Sequence, residues 1–172
     1  MKIREANIID VEWIAHVHLD SWRSTYKGII SESYLSNLSL ENRMENWIWT
    51  FNNLIQDESI FIAVDTNEGI VGFSNSGKNR NSEFEHDGEL YAIYLLKGHQ
   101  RQGIGRLLVQ AAVQALKEKG YKSMMVWVLE DNPSLGFYQR IGGTVIGRKK
   151  INIGEDEFVE LAVGWTNLDD IV

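Results

Sequence analysis

The residues best placed to do chemistry lie in one run, Gln100-Arg-Gln-Gly-Ile-Gly-Arg106, which follows an apolar and aromatic stretch and precedes a helical pattern. Ile104, Leu107, Leu108, Ala111, Ala112 and Ala115 recur at helical spacing, so a helix opens at the glycines. The first turn of a helix has N–H groups without intrahelical partners, and the aligned peptide dipoles place about half a positive charge there. Gly103 and Gly105 bring no side chains, so a diphosphate could lie against the main chain, and Arg106 adds a fixed positive charge. The run is therefore an expected anion cradle. A dinucleotide fingerprint would need a third glycine at Leu108, and a P-loop would need Gly-Lys-Ser/Thr, which is absent.

Two further motifs flank the cradle: Glu89-Leu-Tyr-Ala-Ile-Tyr94 before it, and Asn132-Pro-Ser-Leu-Gly-Phe-Tyr138 with Ile141-Gly-Gly143 after it. Together with Gln100-x-x-Gly103-x-Gly105 they resemble the GCN5-related N-acetyltransferase (GNAT) family, whose signature is Gln/Arg-x-x-Gly-x-Gly/Ala. Gly143 departs from the phenylalanine usual at the end of the last motif. The resemblance implies an α/β (α+β) fold, a mixed, centrally splayed β-sheet with helices on both faces, and acetyl-CoA as co-substrate. It implies that Gln100, Arg101, Gln102, Gly103, Ile104, Gly105 and Arg106 hold the diphosphate. Backbone groups of Ile93, Tyr94 and Leu95 would pair with the pantetheine arm as an added strand. Tyr138 falls at the position of the family's general acid, donating a hydrogen bond or proton to the departing thiolate, and Asn132 would cap the following helix and bond the pantetheine.

An alkyl ammonium with a pKa near ~10.4 is neutral in only on the order of one molecule per thousand at pH 7, so a base must take its proton. Glu89, just before the buried run, is the first candidate; Asp87, His86, His18 and Asp20 compete with it. With no cysteine there is no acyl-cysteine intermediate, disulfide framework or thiolate zinc site, so attack by the amine on the thioester is direct. The four histidines show no metal-ligand spacing.

The elements that must position these groups read as alternating strands and helices without linker or repeat, one domain over residues 1–172. Strands are expected at 2–6, 59–65, 69–76, 89–96 (buried on both faces), 123–129, 144–151 and 157–164. Helices are expected after an Asp10 cap, over 31–55, from the cradle to Gly120, and over 133–141. A net charge of −7 excludes a general nucleic-acid surface, and no apolar run reaches membrane-spanning length, so a cytoplasmic location is expected. The same acidity, Glu89 and the acidic 83–89 loop point to a small cationic amine such as a polyamine as acceptor. A protein N-terminus or lysine is the alternative, a CoA-binding regulator without catalysis a third reading, and a homodimer an allowed assembly.

Overall fold

The computed structural model describes residues 1–171. Seven strands, β1 (Lys2–Glu5), β2 (Ser59–Asp65), β3 (Gly69–Lys78), β4 (Gly88–Leu95), β5 (Met124–Leu129), β6 (Thr144–Ile153) and β7 (Asp156–Trp165), form one sheet in the order β1-β2-β3-β4-β5-β7-β6. Every neighbouring pair is antiparallel except β4 and β5, which run parallel. Five α-helices connect them: α1 (Val11–Thr25), α2 (Glu32–Ser36), α3 (Leu40–Asn52), α4 (Ile104–Glu118) and α5 (Leu135–Arg140).

The parallel pair decides the shape. β4 and β5 are in register only at Gly88 with Met124 and Glu89 with Met125. Beyond Glu89 the two strands part, and the edge of β4 facing β5 has no strand partner, so the expected splay is present. The sequence reading of β4 as buried on both faces holds only for Gly88 to Leu90; Tyr91 to Leu95 are half-buried because one edge fronts the opening.

Alternation along the strands sends apolar side chains to both faces. On one face α1 and α3 pack Ile14, Val17 and Trp47 over Ile60, Ile62 and Phe73. On the other, α4 packs Leu108 over Ala63 and Val71, and Val109, Ala112 and Leu116 with Leu90 and Val126. β4 keeps Leu90 and Ile93 on the same face although they are an odd number apart, because the register with β3 skips from Ala92 to Leu90 and leaves Tyr91 as an extra, bulged residue.

Several boundaries differ from the sequence reading. The helix expected over 31–55 is two helices, α2 and α3, divided where Ser39 turns extended and accepts a hydrogen bond from Asn42 N, a side-chain cap that restarts the chain. Asp10 does not cap α1 with its side chain. Its carboxylate instead takes the Asn7 N–H and both Arg4 guanidinium nitrogens, and the Arg4 bonds hold its pKa below the usual carboxylate range. The strands of the closing hairpin run longer than expected, to Ile153 and from Asp156.

Candidate active site

The parting of β4 from β5 opens a cavity of about 1420 Å³ that reaches both faces of the sheet. On the α4 side its wall includes Gly103, Gly105 and Arg106; on the other side it includes Trp22, Tyr26, Trp127 and Glu160.

The cradle forms because the chain turns twice through the left-handed region, at Arg101 (φ 63°) and at Gly103 (φ 82°), before α4 begins. Gly103 is the N-cap and offers no side-chain acceptor, and the first intrahelical bond is Leu107 N–H to Gly103 O. The N–H groups of Ile104, Gly105 and Arg106 are thus left for an incoming group. A Cβ built on Gly103 would meet no atom within 4 Å, so no protein side chain crowds the turn at that residue. Lys97, Arg101, Arg106 and Arg140 also line the cavity. Open space, free N–H groups and four cations suit a diphosphate.

Not every predicted cradle residue faces this space. Ile104 is 3 % exposed and packs in the core with Leu108 and Val71. Gln102 turns its amide to Gly98 O at 3.0 Å and is off the cavity wall. Gln100 donates to Leu95 O at 3.2 Å, tying the turn to the end of β4 while its side chain remains on the wall. These three shape the turn. Ile93, Tyr94 and Leu95 do line the opening where β4 has lost its partner, and the Ile93 side chain serves the core as expected.

Asn132 is not the N-cap of α5; Ser134 holds that position. Asn132 accepts Ser134 N–H at 2.8 Å through Oδ1 and donates from Nδ2 to Tyr26 Oη at 3.2 Å, so one buried amide tightens the entry to α5 and crosses the cleft to the end of α1. The proline in front shifts the helix start because Pro133 occupies the turn rather than its first position, and α5 spans Leu135–Arg140 rather than 133–141. Tyr138 sits on α5, 5 % exposed, packed edge-on to Phe137 and Trp165, and is one of the residues that line the cavity. Burial pushes that phenol well above its usual pKa, and the nearby Tyr26 phenol adds to the shift.

Glu89 occupies the apex of the splay and is 2 % exposed, not a surface carboxylate. Oε2 accepts Arg80 N–H at 3.0 Å, Arg80 Nε at 3.2 Å and Asn81 Nδ2 at 3.2 Å; Oε1 accepts Arg80 Nη2 at 2.8 Å. Oε2 is saturated, while Oε1 keeps a lone pair for a proton or a water. The Arg80 guanidinium also lies 4.0 Å from the Tyr91 ring centroid, which fixes it on the wall. Sequence reading did not single out Arg80 or Asn81, since they belong to a loop and reach Glu89 only when that loop folds back.

The other base candidates are off the cavity wall. His18 packs between Trp47, Phe73 and Tyr94, its Nδ1 takes Trp47 Nε1–H at 3.2 Å, and burial lowers its pKa to about 3. His86 is wedged against Gly164 and Ile146. Asp87 accepts Lys122 N–H, and Asp20 is exposed. Glu83 and Glu85, which made the 83–89 loop acidic, are exposed and off the wall as well. On the acceptor side Glu160 pairs with Lys149 at 3.5 Å, and Lys149 Nζ stands 3.9 Å from the Trp127 ring centroid. Among the described residues no helix is long and apolar enough to cross a membrane, and no group of three His, Cys, Asp or Glu could hold a metal.

Comparison with known proteins agrees with this geometry. Residues 19–143 match the model of the acetyltransferase (GNAT) family. The chain is 39 % identical over 166 residues to the uncharacterised N-acetyltransferase YuaI of Bacillus subtilis, covering 96 % of this chain and 93 % of that one. It is 27 % identical over 141 residues to a spermidine N(1)-acetyltransferase of Thermoplasma acidophilum, covering 80 % and 83 %. The crystal structure of a PaiA N-acetyltransferase from Thermoplasma acidophilum in complex with coenzyme A superposes with a TM-score of 0.69 at 27 % identity, over 92 % of this chain and 96 % of that one.

Proposed function

The chain belongs to the acetyltransferase (GNAT) family and uses acetyl-CoA as its acetyl donor, and we propose that its acceptor is a small primary amine. The observation that carries this reading is the end wall of the cleft. Trp22, Tyr26 and Ile29, from α1 and the segment after it, meet Ile151 and Ile153 of β6 in one apolar cluster with Leu35 and Phe158, and Tyr34 closes on Gly154 at the β6–β7 turn. A cleft walled in this way suits a compact acceptor better than a folded protein surface, which disfavours a protein lysine. A cationic amine such as a polyamine is supported by the net charge of −7 and by the spermidine N(1)-acetyltransferase relative. Of the three acidic residues on the wall, Glu89 and Glu160 each have a basic partner, so the wall itself adds only the Asp131 carboxylate to that choice.

In the proposed mechanism the protein mostly positions. The cradle N–H groups with Arg101 and Arg106 hold the diphosphate, and the unpaired edge of β4 aligns the pantetheine, which together bring amine and thioester into reach. Glu89 takes the ammonium proton at the free lone pair of Oε1, directly or through a water, while Arg80 and Asn81 fix the carboxylate. N–H groups of β4 near Ile93 to Leu95 polarise the thioester carbonyl. Tyr138 donates to the sulfur as the C–S bond breaks. Initial rates with acetyl-CoA against spermidine, free amino acids and lysine-bearing or free N-terminal peptides test the acceptor. Turnover of a small amine at least tenfold more efficient than of any peptide is expected; the reverse order, or no turnover of any amine, overturns the proposal.

A further inference from the structure

We propose that Tyr26 is a second hydroxyl donor to the leaving sulfur, acting beside Tyr138. The inference rests on the assignment of Tyr138 as donor to the same atom. Tyr26 follows the last residue of α1, and its carbonyl holds the N–H groups of Ile29 and Ile30, both at 2.9 Å, so its backbone is fixed at the turn out of the helix. Its ring lies 4.7 Å from that of Trp22, and it is 6 % exposed, yet it forms part of the cavity wall.

The hydrogen bonds around its oxygen have a direction. Trp22 Nε1–H donates to Tyr94 Oη at 2.9 Å, so that neighbouring hydroxyl already has a donor of its own. From across the cleft Asn132 Nδ2 donates to Tyr26 Oη at 3.2 Å. A hydroxyl oxygen has two acceptor positions and one hydrogen. Asn132 fills one acceptor position, and among the described residues no protein acceptor takes the Tyr26 O–H. A hydroxyl that accepts a bond is also a stronger donor, because each bond polarises the next. That O–H is therefore available to the cavity that Tyr26 and Tyr138 both line.

Both phenols lie above their usual pKa, Tyr26 chiefly through burial with Asn132 and Tyr94 partly offsetting it, and Tyr138 through burial and the neighbouring Tyr26. Full proton transfer from a phenol to a thiolate whose conjugate acid has a pKa near ~8.5 is therefore uphill. Two hydrogen bonds need no transfer. As the C–S bond breaks, its electron pair stays on sulfur, both phenols keep their protons, and the thiolate takes a proton from solvent on release. The proton given up by the amine leaves through the base.

Paired binding measurements with coenzyme A and its desulfo analogue, which lacks only the sulfur, test this at pH 6.5 and 9.5. Wild type should favour coenzyme A over the analogue by about tenfold more at pH 9.5, where the thiol is ionised and the buried phenols are not. Tyr26→Phe should remove most of that gain and lower kcat at least tenfold, with the acetyl-CoA KM within about twofold. If the two ligands lose affinity together, or the gain at pH 9.5 survives, Tyr26 supports the fold and the proposal is wrong. Asn132→Ala, which removes the donor to Tyr26 Oη, should reduce the same gain by about twofold; should Tyr26→Phe fail to fold, an undiminished gain in Asn132→Ala overturns the proposal. Tyr138→Phe is measured in parallel: a gain lost in Tyr26→Phe but kept in Tyr138→Phe refutes the role of Tyr138 and leaves that of Tyr26 standing.

Discussion

Replacing Gly103 by alanine tests the cradle, and the fold provides its own control. Gly103 has φ 82° and a Cβ there would meet nothing within 4 Å; Gly120, past the other end of α4, has φ 87° and is equally open. Each Gly→Ala change forces an L-residue into the left-handed region at about 1–2 kcal/mol, with no steric term from the protein. In a chain of 172 residues that lowers Tm by a few degrees, roughly 2–4 °C per kcal/mol, in both variants alike. The two sites stand at opposite ends of a 15-residue helix, about 22 Å apart. Only Gly103 is on the cavity wall, at the end of α4 that carries the free N–H groups of Ile104, Gly105 and Arg106. Displacing a diphosphate from one such charged hydrogen bond costs about 1.5–3 kcal/mol, a factor of about 10 to 150 in Kd. Calorimetric titration with coenzyme A should therefore show Gly120→Ala at wild-type affinity and Gly103→Ala at least tenfold weaker, with matching melting temperatures. Equal affinities for the two variants would falsify the cradle assignment.

Tyr138→Phe keeps the packing against Phe137 and Trp165 and removes only the hydroxyl, so kcat should fall at least tenfold while the acetyl-CoA KM changes little; steady-state kinetics showing the opposite pattern would demote Tyr138 to a packing residue. Glu89→Gln should depress the rate most below the amine's pKa and progressively less as pH rises toward it, because each unit supplies about tenfold more neutral amine; a kcat profile from pH 6 to 10 that matches wild type removes Glu89 from the mechanism. His18 is neutral in the fold, with its pKa lowered to about 3 by burial, whereas unfolding restores an ordinary histidine. Its contribution is fully present above pH 6.5 and is lost at up to about 1.4 kcal/mol per unit as pH falls from there toward 3. Urea unfolding at pH 7 and pH 5 should show His18→Gln losing less stability than wild type over this interval, and equal losses would contradict the burial argument.

The geometry of the 100–106 turn was legible from residues alone because a turn that ends a strand, carries two glycines and opens a helix is local: Gly103 and the N–H groups after it are set by a handful of consecutive residues. The strand and helix order was legible for the same reason, through side-chain periodicity. Capping was less so. Asp10 and Asn132 are both acceptable cap residues next to a helix, yet Arg4 claims the first and Tyr26 shares the second, since a short polar side chain bonds whichever donors the packed fold delivers. The division of 31–55 into α2 and α3 escaped periodicity because the apolar residues of both helices continue through the break. What the amino-acid order determined by itself is a glycine turn that leaves N–H groups free at the start of α4 and the chemistry class that its motifs resemble. What only the tertiary structure decided is which polar groups meet across the sheet. Arg80 and Asn81 close on Glu89 from a loop, Asn132 reaches Tyr26 over 106 positions, and the acidic side chains of the 83–89 loop other than Glu89 turn away from the cleft. Sequence spacing carries no record of such contacts, because they arise where two strands part and every side chain at the opening must find its partner from a distant element.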